Sequence, residues 1–146
     1  KEPIICDWVD PVCLLTRLDL VKKIGGFCPE YYRSHEGVDF CLKVKKAGFQ
    51  VVYYPQAIAQ HEVDLSQPKR ERLYYLYRNK LLLVHRNFPF FRKIVALSSI
   101  VLLGLPKYLL ESIRFYRGFV FPELKIIFLS VWDGFLGKTG PMEKGK

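Results

Sequence analysis

The sequence predicts an α/β domain followed by a mainly helical, membrane-associated tail. Three observations carry this expectation. Short strand-like and helix-like stretches alternate as far as Ser66, the apolar residues take up helical spacing from Pro68 onward, and the charge changes sign between the two parts. Residues 1–66 hold eight Lys or Arg against nine Asp or Glu, a net charge of −1, whereas residues 67–146 hold fifteen against five, a net charge of +10. A segment both basic and apolar suits the anionic surface of a bilayer. Nucleic-acid binders normally show a basic face with fewer buried aliphatics, so no nucleic-acid partner is expected.

Half of the 146 residues are hydrophobic and 15% are aromatic, which excludes a disordered, solvating chain. The first residue is Lys1 rather than Met, so the chain is expected to be part of a longer protein. Cysteines at 6, 13, 28 and 41 form no C-x-x-C pair, and the spacing fits neither a zinc site nor a secreted disulfide framework. They are expected to be buried thiols in a reducing compartment.

Residues 6–15 read as a short strand or extended segment broken by Pro11. Asp19 is expected to cap a short helix that stops at Gly25-Gly26, and a loop through Pro29, Tyr31 and Tyr32 follows. Ser34 is the expected N-cap of a helix from Glu36 to Ala47, with Val38, Cys41 and Leu42 on one face and Lys43, Lys45 and Lys46 outward. Gln50–Tyr54 is β-branched and aromatic and stops at Pro55, which predicts a strand. An irregular polar stretch from Ala57 to Ser66 carries His61, Glu62 and Asp64. Leu73, Tyr77, Leu81 and Val84 then recur at helical spacing, predicting a long helix over 68–87 that Pro89 breaks. The tail has apolar runs at Ile94–Leu105 and around Ile126–Trp132. Its longest charge-free run, 94–106, is shorter than the roughly 20 residues a spanning helix needs, so an interfacial or re-entrant helix is expected.

One stretch carries more than folding information. Between Ile24 and Glu62 lie Gly25-Gly26-Phe27, Tyr31-Tyr32, Glu36 with Asp39, Ala47-Gly48-Phe49, the segment from Val51 to Pro55, Ala57 and His61; later come Arg72, Tyr75, Arg78 and Asn79, and DGFLGKTG at 133–140. In this order they resemble the C-terminal half of family 2 inverting glycosyltransferases of the GT-A fold, particularly those that build bacterial surface polysaccharides, rhamnosyltransferases among them. The resemblance implies that 1–66 is the acceptor and catalytic half of a GT-A domain and 67–146 a basic, amphipathic helical region. It implies transfer, with inversion, from a nucleotide-diphospho-sugar to a lipid-linked or polysaccharide acceptor at the cytoplasmic face of the cell membrane, in a peripheral or monotopic setting. Glu36 and Asp39 match two of three acids in the pattern and are the catalytic candidates. His61 would ligate a divalent metal, Mg or Mn, that holds the diphosphate. Arg78 and Asn79 would reach phosphate oxygens, and Trp8 and Tyr32 would stack on a sugar ring.

Three positions depart from the pattern. Gly37 stands where the family's usual base is an Asp, Pro11 where relatives tend to have Gly, and Lys43 where they tend to have Arg. Without a side chain, Gly37 accepts no proton. Either Glu36 or Asp39 has taken over, or the protein is a non-catalytic, membrane-associated relative. No D-x-D, G-x-G-x-x-G or G-x-x-x-x-G-K pattern occurs, so the chain alone is expected to bind a nucleotide-sugar poorly.

Overall fold

The computed structural model describes residues 2–62, 69–104, 106, 107, 110 and 121–142. The expectations placed on Asp64, Pro68, Leu105 and Arg117 lie outside these residues. The chain divides into two compact units, 1–67 and 68–146. The described residues are mostly helical, with one small sheet.

In the first unit, strand β1 (Ile4–Cys6) pairs antiparallel with β2 (Val51–Tyr53), Cys6 lying opposite Val51 and Ile4 opposite Tyr53. β1 thus ends where the sequence suggested a strand would begin. Asp10 accepts from the Val12 N–H at 3.1 Å and starts a single 3-10 turn at Pro11–Cys13, which uses the proline where its missing N–H costs nothing. Helix α1 (Leu18–Ile24) is not capped by Asp19. Arg17 occupies the cap position, and Asp19 sits in the first turn, paired with the Arg17 guanidinium at 2.6 Å. The helix ends as expected at Gly25, whose φ of 77° is the left-handed geometry that a Cβ disfavours.

Helix α2 (Glu36–Lys46) packs on β2 through its buried face. Its buried Phe40, Cys41 and Val44 join Leu20 and Val51 in the core of the unit, and Phe40 stacks on Phe27 at 4.6 Å between centroids. Ser34 is not its cap: the helix starts after His35, held at φ 69° with no side-chain cap. Lys45 and Lys46 face outward as expected, whereas Lys43 turns inward. Of the cysteines only Cys41 is buried; Cys6 and Cys28 are half-buried and Cys13 is exposed.

The second unit is built on helix α3 (Lys69–Asn87), followed by α4 (Phe90–Ser99), a π turn at Ile100–Gly104, and α5 (Phe121–Phe135). α3 buries Tyr77, Leu81 and Val84 at the anticipated spacing. Tyr74 and Tyr75 pack on Ile126 of α5, while Leu81 and Val84 pack on Ile100. α5 approaches α3 closely because Gly134 has no side chain: a Cβ there would lie 2.8 Å from the Arg78 carbonyl oxygen and 3.0 Å from Leu81. No described helix is long and apolar enough to cross a membrane.

Candidate functional site

The start of α2 is where the first unit concentrates chemistry. The loop entering it holds Tyr32, Ser34 and His35 at φ of 59°, 66° and 69°. Side chains in this region strain the backbone by about 1–3 kcal/mol each, and such strain persists where the surrounding structure imposes it, often beside a site. Tyr31, fully buried within the same loop, donates its hydroxyl to Asp39 Oδ1 at 3.1 Å. Lys43 Nζ lies 3.2 Å from Asp39 Oδ2 and donates to the Gly26 carbonyl at 3.1 Å. The Gly-Gly-Phe turn, the aromatic loop and α2 are therefore tied together by one carboxylate. With its residue 3% exposed, Asp39 is engaged on both oxygens and serves as an anchor.

Glu36, one turn earlier, is placed differently. Its Oε2 is buried, and among the described residues no donor reaches it. Because it sits in the first turn of an eleven-residue helix, its negative charge is favoured by the helix dipole. The two acids share a helix but differ in surroundings: Asp39 holds Tyr31 and Lys43, whereas Glu36 Oε2, itself enclosed, has no donor among the described residues.

Gly37 between them is buried against Pro11. A Cβ at position 37 would meet Pro11 Cδ at 2.6 Å and Cγ at 2.8 Å. Two of the three departures from the family pattern are thus in contact, the proline ring occupying the space that a side chain at 37 would take. The third, Lys43, is the cation of the Asp39 anchor.

His61 is exposed near the end of the described part of this unit, and no hydrogen bond or ion pair joins it to Glu36 or Asp39. Among the described residues no three His, Cys, Asp or Glu side chains gather as a metal site. On their own, these residues do not fit a divalent cation. Trp8 and Tyr32 are both more than half exposed, as ring-stacking residues would need to be, and neither is buried in the core.

Arg78 and Asn79 are 0% exposed. The Arg78 guanidinium stacks over the rings of Tyr74 and Tyr75, at 5.3 and 4.9 Å from their centroids, and donates to Asn79 Oδ1 at 2.9 Å and to the Gly140 carbonyl. Around it Tyr74 donates to Asp133 Oδ2 at 2.8 Å, Lys138 pairs with Asp133 Oδ1 at 2.7 Å, and the Met142 N–H donates to the Tyr75 hydroxyl at 2.7 Å. The Arg72–Asn79 stretch and the DGFLGKTG signature, over 50 residues apart in sequence, form one buried network. The enclosure leaves Arg78 no surface toward a ligand.

Burial first, then the Asp133 carboxylate, pushes the Tyr74 hydroxyl up to about 12 from its usual 10.0. The fold therefore holds the neutral phenol. The stability this contributes is intact below pH 10 and is lost as pH rises toward about 12. Urea midpoints measured from pH 9 to above 12 are expected to fall more steeply for the native chain than for Tyr74→Phe; parallel curves would contradict the assignment.

No family model matches the chain, and no solved structure matches it. Two curated proteins match in part. Both are N-acetylglucosaminyl-diphospho-decaprenol L-rhamnosyltransferases of Mycobacterium tuberculosis, from strains CDC 1551 / Oshkosh and ATCC 25618 / H37Rv. Each is 37% identical over 54 residues, which is 37% of this chain and 18% of the relative's length. Over that stretch the chain is glycosyltransferase-like.

Proposed function

We propose that this chain is the acceptor-side part of an inverting, GT-A-type family 2 glycosyltransferase that moves a sugar from a nucleotide-diphospho-sugar to a lipid-linked or polysaccharide acceptor, with Glu36 as the base. The observation that carries the proposal is the buried, undonated Glu36 Oε2 at the start of α2, behind a strained aromatic loop. The partial match supports the class of reaction, and the relatives' name, which specifies an N-acetylglucosaminyl-diphospho-decaprenol, supports a lipid-linked acceptor.

In this reading the acceptor hydroxyl oxygen attacks the anomeric carbon in line. The new carbon–oxygen bond forms as the bond to the diphosphate breaks, the bonding pair leaves with the diphosphate, and Glu36 takes the hydroxyl proton. Exposed Trp8 and Tyr32 offer rings to a sugar face. A divalent cation on the diphosphate would draw at most one ligand from His61 in this chain. The +10 charge of residues 67–146 and their exposed Phe and Trp side chains favour a seat on the cytoplasmic membrane surface.

In the full-length protein, Glu36→Gln is expected to lower the rate of sugar transfer by about 10²- to 10⁴-fold while leaving the unfolding midpoint near that of the native protein. Asp39→Asn is expected to do the reverse, costing stability through the Tyr31 and Lys43 contacts. Transfer by Glu36→Gln at the native rate removes Glu36 from the chemistry.

A second reading has its own support. With the Pro11 ring filling the space beside Gly37, the family's usual base position is closed as well as empty, which favours a non-catalytic, membrane-associated relative. The Glu36→Gln measurement separates the two, because this relative transfers no sugar with either residue.

A further inference from the structure

The loop that leads into α2 carries a second kind of strain at Tyr32. A 3-10 turn at Pro29–Tyr31 closes with the Tyr32 N–H on the Pro29 carbonyl at 3.0 Å, and the Arg33 N–H then folds back onto the Tyr31 carbonyl at 2.6 Å. With φ 59° and ψ −48°, Tyr32 is therefore the central residue of a γ-turn of the rare, strained hand. Glycine takes that geometry with no Cβ in the way, so a tyrosine stays there only where its surroundings impose it. Tyr31 supplies the restraint on the N-terminal side: it is 0% exposed, its hydroxyl donates to Asp39 Oδ1 at 3.1 Å, and Asp39 is in turn paired with Lys43. Tyr32, one peptide further on, is 58% exposed. Its ring adds little to the core, and a strained tyrosine that adds little to the core is explained by a need for the ring at a fixed place.

We infer that Tyr31 is a positioning residue, whose buried hydroxyl fixes the γ-turn so that the Tyr32 ring stands as a preformed platform for the acceptor's sugar, an inference that rests on the transferase reading above. A pyranose presents a face of C–H groups that an aromatic ring covers, and Tyr32 lies four residues before Glu36 on the loop that α2 continues. With its backbone held, Tyr32 has only its side-chain torsions left to settle on binding, which is how a restrained aromatic gains affinity without added contacts. The role is separate from that of Glu36: the platform sets how well the acceptor binds, and the base sets how fast it reacts.

Saturation-transfer NMR on the full-length protein, with a panel of methyl pyranosides as probes, tests the role. Tyr31→Phe, which keeps the buried ring and loses only the hydroxyl, and Tyr32→Gly are each expected to weaken pyranoside binding about tenfold, and the two together no more than Tyr32→Gly alone. With the bound pyranoside as acceptor, Tyr31→Phe is expected to raise its KM and to leave kcat and the nucleotide-sugar KM as they are. In urea, Tyr32→Gly is expected to be more stable than Tyr32→Ala, the reverse of the usual order, because only glycine relieves the turn. The inference is overturned if no pyranoside binds the native protein, if Tyr31→Phe binds as the native protein does, if the two losses multiply in the double variant, or if Tyr32→Ala is the more stable. Binding with the expected pattern in a protein that transfers no sugar sinks the transferase reading alone; transfer at a KM that neither variant changes sinks the positioning role alone.

Discussion

Arg78→Ala is expected to destabilise the chain by about 3 kcal/mol or more, since it opens a cavity and breaks hydrogen bonds at once. Arg72→Ala, on the exposed side of the same helix, is expected to change stability by less than about 0.5 kcal/mol. Both arginines belong to one sequence pattern, in which Arg78 reads as a phosphate contact; the structure separates them by burial. Removing the Arg78 side chain leaves the faces of Tyr74 and Tyr75 without their cation and the Gly140 carbonyl without that donor. Urea unfolding followed by circular dichroism, with unchanged slope, measures the difference. Equal and small effects from the two variants would mean that the buried network is not what holds α3 and α5 together.

Gly37→Ala is expected to be destabilising by about 1–3 kcal/mol, the usual cost of overpacking. The sign is informative, because glycine to alanine inside a helix otherwise stabilises by about 1 kcal/mol. The obstacle is the Pro11 ring, whose Cδ would lie 2.6 Å from the added carbon, and a five-membered ring cannot swing aside as a lysine would. Pro11→Gly removes the obstacle, so Gly37→Ala in that background is expected to lose most of its cost, with a coupling of about 1 kcal/mol or more across the double-mutant cycle. Gly37→Asp follows the same rule, which makes the single substitution a poor way to restore an acid and the pair with Pro11→Gly the appropriate one. Additive effects, with no coupling between 11 and 37, would refute the contact.

Much of the second unit was legible in the sequence, because helical periodicity is a local signal and Leu81 and Val84 of α3 lie where it puts them. The turn at Gly25 and the strand before Pro55 were legible for the same reason. The inward lysine was not. Lys43 beside Lys45 and Lys46 reads as solvated charge, and only the distant Gly26 carbonyl and the buried Asp39 turn it around. Ser34 failed as a cap because its backbone, at φ 66°, leaves the extended geometry that capping needs. Pro11 and Gly37 each read as a lone departure; that one fills the other's space is a contact across 26 positions, invisible to spacing. Arg78 was misplaced by its chemistry, since an arginine on a basic helix suggests a surface, and nothing local announces that two tyrosines enclose it.

The network around Arg78 fastens residues 74–79 to residues 133–142, by bonds that span 59 to 67 positions. These bonds tie the first part of α3 to the end of α5 and the segment after it. The order of the second unit is thus shared between two segments far apart in sequence, and loosening either one is expected to loosen the other.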